Sequence, residues 1–288
     1  MMNCVLIVTN FDAGRKTAVK CKKKVIDFVL NYTKSFKFVN IDEFKELDIT
    51  PYDTILAMGG DGTVNKVLPY LINTDKVLGI IPCGTANLLA AKLGFSSNLA
   101  KNLKIIEKNN IKSIDVMEIN EYLCALRCGF GYDSDIICKT PQSLKNKFGY
   151  FAYFIAGIIF ALKLKNKEYK ITIDDETKEV KASCIIIANA SNMYKNIVSV
   201  GNKSELDDGI GEVFILKTEN PIVFFFELIK IALGIRKNST IAEYKKFEKL
   251  DIKNSWQVSH IDGEKRNLKD NINTKILKKS IQVYAKNM

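Results

Sequence analysis

The run Gly59-Gly60-Asp61-Gly62-Thr63-Val64-Asn65 follows an apolar stretch, Thr54 to Met58, and leads into residues with helical spacing. Glycines let a main chain turn tightly and approach an anion, and the N–H groups that open the next helix point at it. The chemistry this implies is phosphate binding. A carboxylate at Asp61 would repel phosphates unless a metal ion or a transferable proton lay between them, which makes Asp61 a candidate catalytic residue. Its plain alternative is a helix cap. A second segment, Gly79-Ile80-Ile81-Pro82-Cys83-Gly84-Thr85-Ala86-Asn87-Leu88-Leu89-Ala90, again leaves an apolar run through glycine toward a helix. Two such turns in one sheet predict one crevice.

Other candidates lie further along. Ile261-Asp262-Gly263-Glu264 carries two carboxylates, and Glu205-Leu206-Asp207-Asp208-Gly209-Ile210 is acidic, though by itself it reads as a plain hairpin turn. His260 is the single histidine, so a two-histidine metal site is excluded; a Ser-His-Asp hydrolase reading also lacks a G-x-S-x-G turn. His260 reads most simply as a strand residue. Seven cysteines without a C-x-x-C pair read as reduced, buried thiols of a cytosolic protein.

The elements that must position these residues follow from periodicity. Val5 to Val8 reads as a strand, and Ala18, Cys21, Val25, Phe28 and Tyr32 as one helix face; Phe36 to Ile41 and Val77 to Ile81 read as strands and Val64 to Ile72 as a helix. Strands alternating with helices predict a parallel, doubly wound α/β sheet, whose ligands bind at the carboxyl ends of its strands. Beyond Ile114 the runs become short and β-like (Tyr122 to Cys128, Tyr169 to Ile173, Cys184 to Ala188, Glu212 to Leu216), so a second, mainly β domain is expected from about residue 118. The boundaries read from this are 1–117 for the α/β domain, with 281–288 as candidates to rejoin it, and 118–280 for the β-rich domain. Lys and Arg exceed Asp and Glu by 43 to 32, and the net charge of +11 favours an anionic partner. No aromatic-basic platform or groove-reading motif accompanies it, which argues against nucleic acid. The N-terminus has no basic n-region ahead of a long apolar run, so export is not expected.

The ordered set of GGDGT loop and G-I-I-P-C-G-T-A-N segment resembles the diacylglycerol kinase catalytic-domain family of lipid kinases. That resemblance implies an N-terminal NAD kinase/phosphofructokinase-like nucleotide-binding domain and a C-terminal β sandwich. It implies ATP contacts at Asn10, Phe11, Asp12, Ala13 and Gly14, where the family's N-P-x-S-G loop has lost its Pro and Ser, and at Asn40, Gly59, Gly60, Asp61, Gly62, Thr63, Val64, Asn65 and Thr85. It implies Glu264 of the D-G-E element as the base toward the acceptor hydroxyl, with Asp262 and Asp61 as further catalytic residues. It also implies a structural Mg²⁺ held by the Asp208 side chain and the carbonyls of Glu205 and Ile210, with Asp115 able to join an acidic cluster that organises magnesium. Where many members carry Asp after the Asn of the second motif, this chain has Asn87-Leu88.

The expectation is therefore Mg-ATP-dependent phosphorylation of a lipid hydroxyl, diacylglycerol giving phosphatidic acid, by a cytoplasmic enzyme bound peripherally to membrane. Two apolar stretches, Phe148 to Leu162 followed by Lys163, Lys165, Lys167 and Lys170, and Pro221 to Ile235 followed by Arg236 and Lys237, fit a surface that meets anionic lipid headgroups; their plain alternative is buried helix. Since the GGDGT loop also occurs in NAD kinases, a kinase of a soluble acceptor is the rival reading. A non-catalytic nucleotide- or lipid-binding homologue is the third, and a homodimer stays among the candidate partners.

Overall fold

The computed structural model describes residues 3–11, 17–33, 35–141, 143–144, 156–157, 159–160, 162–189, 206–232, 235, 238–254, 258–268 and 271–286. The chain divides into two compact units, 1–114 with 279–288, and 115–278.

In the first unit β1 (Cys4–Thr9), α1 (Thr17–Leu30), β2 (Ser35–Asn40), α2 (Ile41–Phe44), β3 (Thr54–Gly59), α3 (Asp61–Val67), β4 (Val77–Pro82), α4 (Leu88–Lys92) and α5 (Leu99–Glu107) alternate as the periodicity requires. Strands β2, β1, β3 and β4 pair in parallel in that order, and Gln282 and Val283 of the last strand pair in parallel with β4. Val5 to Val8 and Ile55 to Met58 are wholly buried, because helices cover both faces of a parallel sheet and leave no solvent face for polar residues. The order runs outward from β1 to β2 on one side and to β3 on the other, so the gap between β1 and β3 is a switch point that opens a crevice beyond the strand ends. The expected helix from Val64 to Ile72 is divided: α3 ends at Val67 and Leu68–Tyr70 forms a 3₁₀ turn. Pro69 explains this, since it has no N–H for the α-helical ladder and its ring crowds the preceding turn.

In the second unit β12 (Ala242–Phe247), β11 (Gly211–Leu216), β10 (Cys184–Ala188), β7 (Arg127–Gly131), β14 (Val258–Ile261) and β15 (Glu264–Asn267) form one antiparallel sheet. β9 (Glu176–Ala182), β8 (Lys167–Ile173), β13 (Lys249–Asn254) and the first half of β16 (Asn271–Tyr284) form a second, in which β16 also pairs with β5 (Ile111–Ile119) and β5 with β6 (Tyr122–Cys124). Phe130, Ile185, Ile187, Val213 and Ile215 of the first sheet share one core with Ile171, Leu250 and Ile252 of the second, a β sandwich. The alternate residues Cys184, Ile186, Phe214 and Leu216 pack on the far face with Tyr132 of α6 (Tyr132–Lys139) and Phe224 of α7 (Pro221–Ala232). Both faces of β10 are thus covered, which is why it reads as an unbroken apolar run rather than an alternating one. The β-like run from Tyr122 to Cys128 is interrupted at Ala125-Leu126, whose N–H groups leave the ladder for the Asp262 carboxylate.

Candidate functional site

In the first unit the parallel register sets Thr9 beside Asn40 and Met58, and Gly59 beside Pro82, so Asn10, Asn40, Gly59-Gly60 and Cys83-Gly84 follow the same edge of the sheet. The Asn10 N–H donates to the Met58 carbonyl at 3.3 Å, holding the start of its loop beside the end of β3. The two glycine turns touch through their main chains. A Cβ at Gly84 would stand 2.5 Å from Gly60 Cα and 2.8 Å from Asn87 Oδ1, contacts that no side chain could occupy. Asn87 closes the second turn: it is left-handed (φ 48°), its Oδ1 accepts from Gly84 N–H at 2.9 Å, and its Nδ2 donates to the Gly84 carbonyl at 2.8 Å. Asn tolerates that conformation because its short amide bonds back to the local main chain.

Asp61 opens α3, and its Oδ1 accepts from Leu89 N–H at the start of α4 at 3.4 Å. The carboxylate therefore joins the two turns, and Leu88 is a half-buried first residue of α4. Thr63 and Val64 are buried, Gly62 and Asn65 half-buried, and Thr85 is exposed on the second turn. Phe11 stacks on Phe38 with ring centroids 5.8 Å apart, and Lys22 lies over both rings. Asp12, Ala13 and Gly14 lie outside the described residues.

In the second unit Asp262 and Gly263 form a two-residue hairpin between β14 and β15, both left-handed (φ 48° and 86°), the backbone that an Asp-Gly pair suits. The Asp262 carboxylate is buried and accepts from the N–H groups of Ala125, Leu126 and Arg127 at 2.7, 2.9 and 2.8 Å. Burial pushes its carboxyl up, against the pull of those N–H groups. Glu264 opens β15 about one third exposed and is paired at 2.7 Å with Arg266, which lies over the Tyr122 ring. Of the two acids flanking this turn, Asp262 holds the main chain and Glu264 reaches solvent.

The acidic turn is built around Asp115. This buried residue accepts from Gly209 N–H at 2.6 Å and receives a bond to its carbonyl from Asn189 Nδ2, which also bonds the Ala125 carbonyl. Asp208 is exposed as a residue and accepts from Ile210 N–H at 3.1 Å; partial desolvation of its carboxyl first, then the charges of Asp115 and Asp207, push that carboxyl up, against the pull of Ile210 N–H and Lys246. Glu205 lies outside the described residues. Among the described residues no three His, Cys, Asp or Glu side chains are grouped to hold a metal ion.

Sequence reasoning gave Arg127, Asp133 and Asn189 no role in a site, and treated His260 as an ordinary strand residue. The structure buries Arg127, Asp133 and His260 together behind the Asp262-Gly263 turn. Burial alone would raise the Asp133 carboxyl, but the Arg127 guanidinium, with the hydrogen bonds from His260 and Arg127, outweighs it and holds it below the ordinary range. No local pattern announces such a cluster, because its members stand on β7, α6 and β14.

Most of the Phe148 to Leu162 stretch lies outside the described residues, but Ile159 and Leu162 are exposed. The Pro221 to Ile235 stretch forms α7 over Pro221–Ala232, with Phe224 buried against Tyr132 and Ile222, Phe225, Phe226 and Ile229 exposed at helical spacing. Among the described residues no helix is long and apolar enough to cross a membrane.

Residues 5–119 match the diacylglycerol kinase catalytic domain and residues 127–283 the YegS C-terminal NAD kinase β sandwich-like domain. A diacylglycerol kinase of Staphylococcus saprophyticus is 26% identical over 74% of this chain and 70% of its own length. An uncharacterized Synechocystis protein is 33% identical over 58% of this chain, a match that spans 39% of its own length. A solved diacylglycerol kinase structure from Bacillus anthracis superposes with a TM-score of 0.79 at 23% identity, covering 99% of this chain and 98% of that one, which establishes the shared fold.

Proposed function

Because the chain belongs to the lipid kinase family that joins a diacylglycerol kinase catalytic domain to a YegS C-terminal β sandwich-like domain, we propose that it transfers the γ-phosphoryl group of ATP to the free hydroxyl of diacylglycerol, giving phosphatidic acid. The observation that carries this reading is the main-chain contact of the two glycine turns, Gly60 against Gly84, at the carboxyl edge of a parallel sheet. Phosphoryl transfer asks little covalent chemistry of a protein. It needs donors that hold the phosphates, charge that is neutralised as the bond breaks, and a group that orients and deprotonates the nucleophile.

In this reading the Gly59 to Asn65 segment, at the start of α3, and Thr85 contact the ATP phosphates, while Asn10, Phe11 to Gly14 and Asn40 hold the rest of the nucleotide. Asp61 keeps the two turns at a fixed spacing and would help to hold a phosphate-bound cation. Glu264 accepts the proton of the acceptor hydroxyl as oxygen attacks the γ-phosphorus and the bond to the β-phosphate oxygen breaks. Asp262 serves by holding the turn that presents Glu264. Magnesium bound with ATP supplies Lewis-acid neutralisation of phosphate charge. A second, structural magnesium would be held at the acidic turn by the Asp208 side chain and the carbonyls of Glu205 and Ile210, with Asp115 tying that turn through Gly209; a divalent cation there would offset the charges of Asp115 and Asp207 that push the Asp208 carboxyl up.

The acceptor reaches the enzyme at a lipid surface. The exposed stripe of Ile222, Phe225, Phe226 and Ile229 on α7 and the run of Lys163, Lys165, Lys167 and Lys170 supply the apolar and cationic parts of an interfacial contact.

The test supplies γ-labelled ATP and Mg²⁺ with diacylglycerol in anionic vesicles, and separately with NAD and no lipid. Labelled phosphatidic acid is expected, abolished by chelation of Mg²⁺ and lowered about 10²- to 10⁴-fold by Glu264→Gln, the range a positioned proton acceptor contributes. Labelled NAD with unlabelled lipid would assign a soluble acceptor, and ATP binding without transfer to either would assign a non-catalytic homologue.

A further inference from the structure

The Arg127, Asp133 and His260 cluster takes no part in the chemistry just described, yet it is buried at the cost of desolvating two charges. Arg127 Nη1 donates to both oxygens of Asp133 at 2.8 and 2.9 Å. His260 Nε2 bonds Asp133 Oδ2 at 2.6 Å, and His260 Nδ1 receives the Gly263 N–H at 3.3 Å. The Gly263 bond requires a lone pair on Nδ1, so the ring is neutral with its proton on Nε2, where it donates to Asp133.

These bonds close a ring. From the Arg127 guanidinium it passes through Asp133 and His260 to Gly263, one peptide along to Asp262, and back to the Arg127 main chain, whose N–H and carbonyl both bond Asp262. The ring leaves no room for alternatives at its centre. His260 sits directly across from Gly129 in the antiparallel register, and a Cβ on Gly129 would stand 2.0 Å from Asp133 Oδ2 and 2.5 Å from His260 Nε2. Glycine at 129 is thus the complement of the Asp133 to His260 bond.

The Arg127 and Asp133 pair is bidentate without His260, so ion pairing alone does not call for a histidine at that position. What the imidazole adds is an acceptor for Gly263 N–H, the residue immediately before Glu264. Asp262 holds the turn on one side through three N–H groups, and His260 holds it on the other. We propose that His260 is a positioning residue: a neutral imidazole, oriented by Asp133 and Arg127, that fixes the Asp262-Gly263 turn and with it the direction in which Glu264 leaves the strand. The inference rests on Glu264 being the base, and positioning at this precision acts on turnover rather than on nucleotide affinity.

Two substitutions separate the two bonds of the ring. Asn places an amide oxygen where Nδ1 stands and keeps the acceptor for Gly263, whereas Gln reaches toward Asp133 and loses it. His260→Gln is expected to lower kcat for diacylglycerol phosphorylation about 10- to 100-fold with KM for ATP within about twofold, and His260→Asn to stay within about threefold of the parent. Unchanged kcat in the Gln variant, or equal losses in both variants that track their Tm, would overturn the proposal. Nitrogen-15 spectra of the parent protein read the same bond without activity, since the chain's single histidine gives one set of imidazole signals. A neutral ring protonated on Nε2, and a Gly263 amide protected from exchange in the parent and not in the Gln variant, are the expected results. A proton on Nδ1 would overturn the proposal. Failure of the parent to label lipid would instead remove the kinase reading, and the spectra would still decide whether His260 holds the turn.

Discussion

Asp262 and Glu264 are two residues apart, yet their carboxylates meet opposite surroundings: one is enclosed by three main-chain N–H groups, the other is shared between Arg266 and solvent. Asn at 262 keeps one acceptor oxygen and turns an NH₂ group toward a buried donor, so Asp262→Asn should destabilise the protein by about 1–3 kcal/mol. Urea unfolding of the two proteins measures it. Asp133 carries a pH dependence of definite sign. Its carboxyl is held below the ordinary range when folded, so the unfolded chain binds its proton first as pH falls. The stabilisation is complete above the unfolded carboxylate range near about 4 and is lost as pH drops toward the folded value. Unfolding free energy should therefore fall with pH below about 4, and less steeply in Asp133→Asn, in urea titrations at successive pH values.

At the scale of elements, two turns and one helix show function set by contact rather than by composition. Gly84 faces Gly60 so closely that Gly84→Ala must separate the turns, and the expected result is at least a tenfold weaker ATP affinity with little loss of fold, read by calorimetry. α7 carries three consecutive phenylalanines that the helical period sends to different places. Phe224 packs on Tyr132 in the second unit, so Phe224→Ala should cost about 3–5 kcal/mol. Phe225 and Phe226 are exposed, so replacing both with Ser should leave stability within about 1 kcal/mol while lowering binding to anionic vesicles in sedimentation assays.

For the whole molecule, the last strand matters beyond its length. Residues 279–286 belong to the first unit, where Gln282 and Val283 pair with β4, the Asn73 N–H bonds the Ser280 carbonyl, and the Tyr284 hydroxyl meets Thr54. Tyr284 and Val283 are buried there. A chain ending at residue 278 should lose ATP binding altogether, because β4, which leads into the second glycine turn, becomes an unprotected edge.

The alternation of strand and helix in the first hundred residues was legible in the sequence because its signals are local: each buried strand is a short apolar run and each turn announces itself with glycine or proline. The shift to a mainly β second domain and the two glycine turns were legible for the same reason, whereas the sandwich, the acidic turn and the Asp-Gly-Glu element were read only through the family resemblance. What only the tertiary structure decided is which polar groups meet. Asp115 with Gly209, Asn189 with Ala125, and His260 with Asp133 and Gly263 join residues from different elements, and the burial that gives those contacts their strength comes from the packing of sheets, not from any neighbour in the chain.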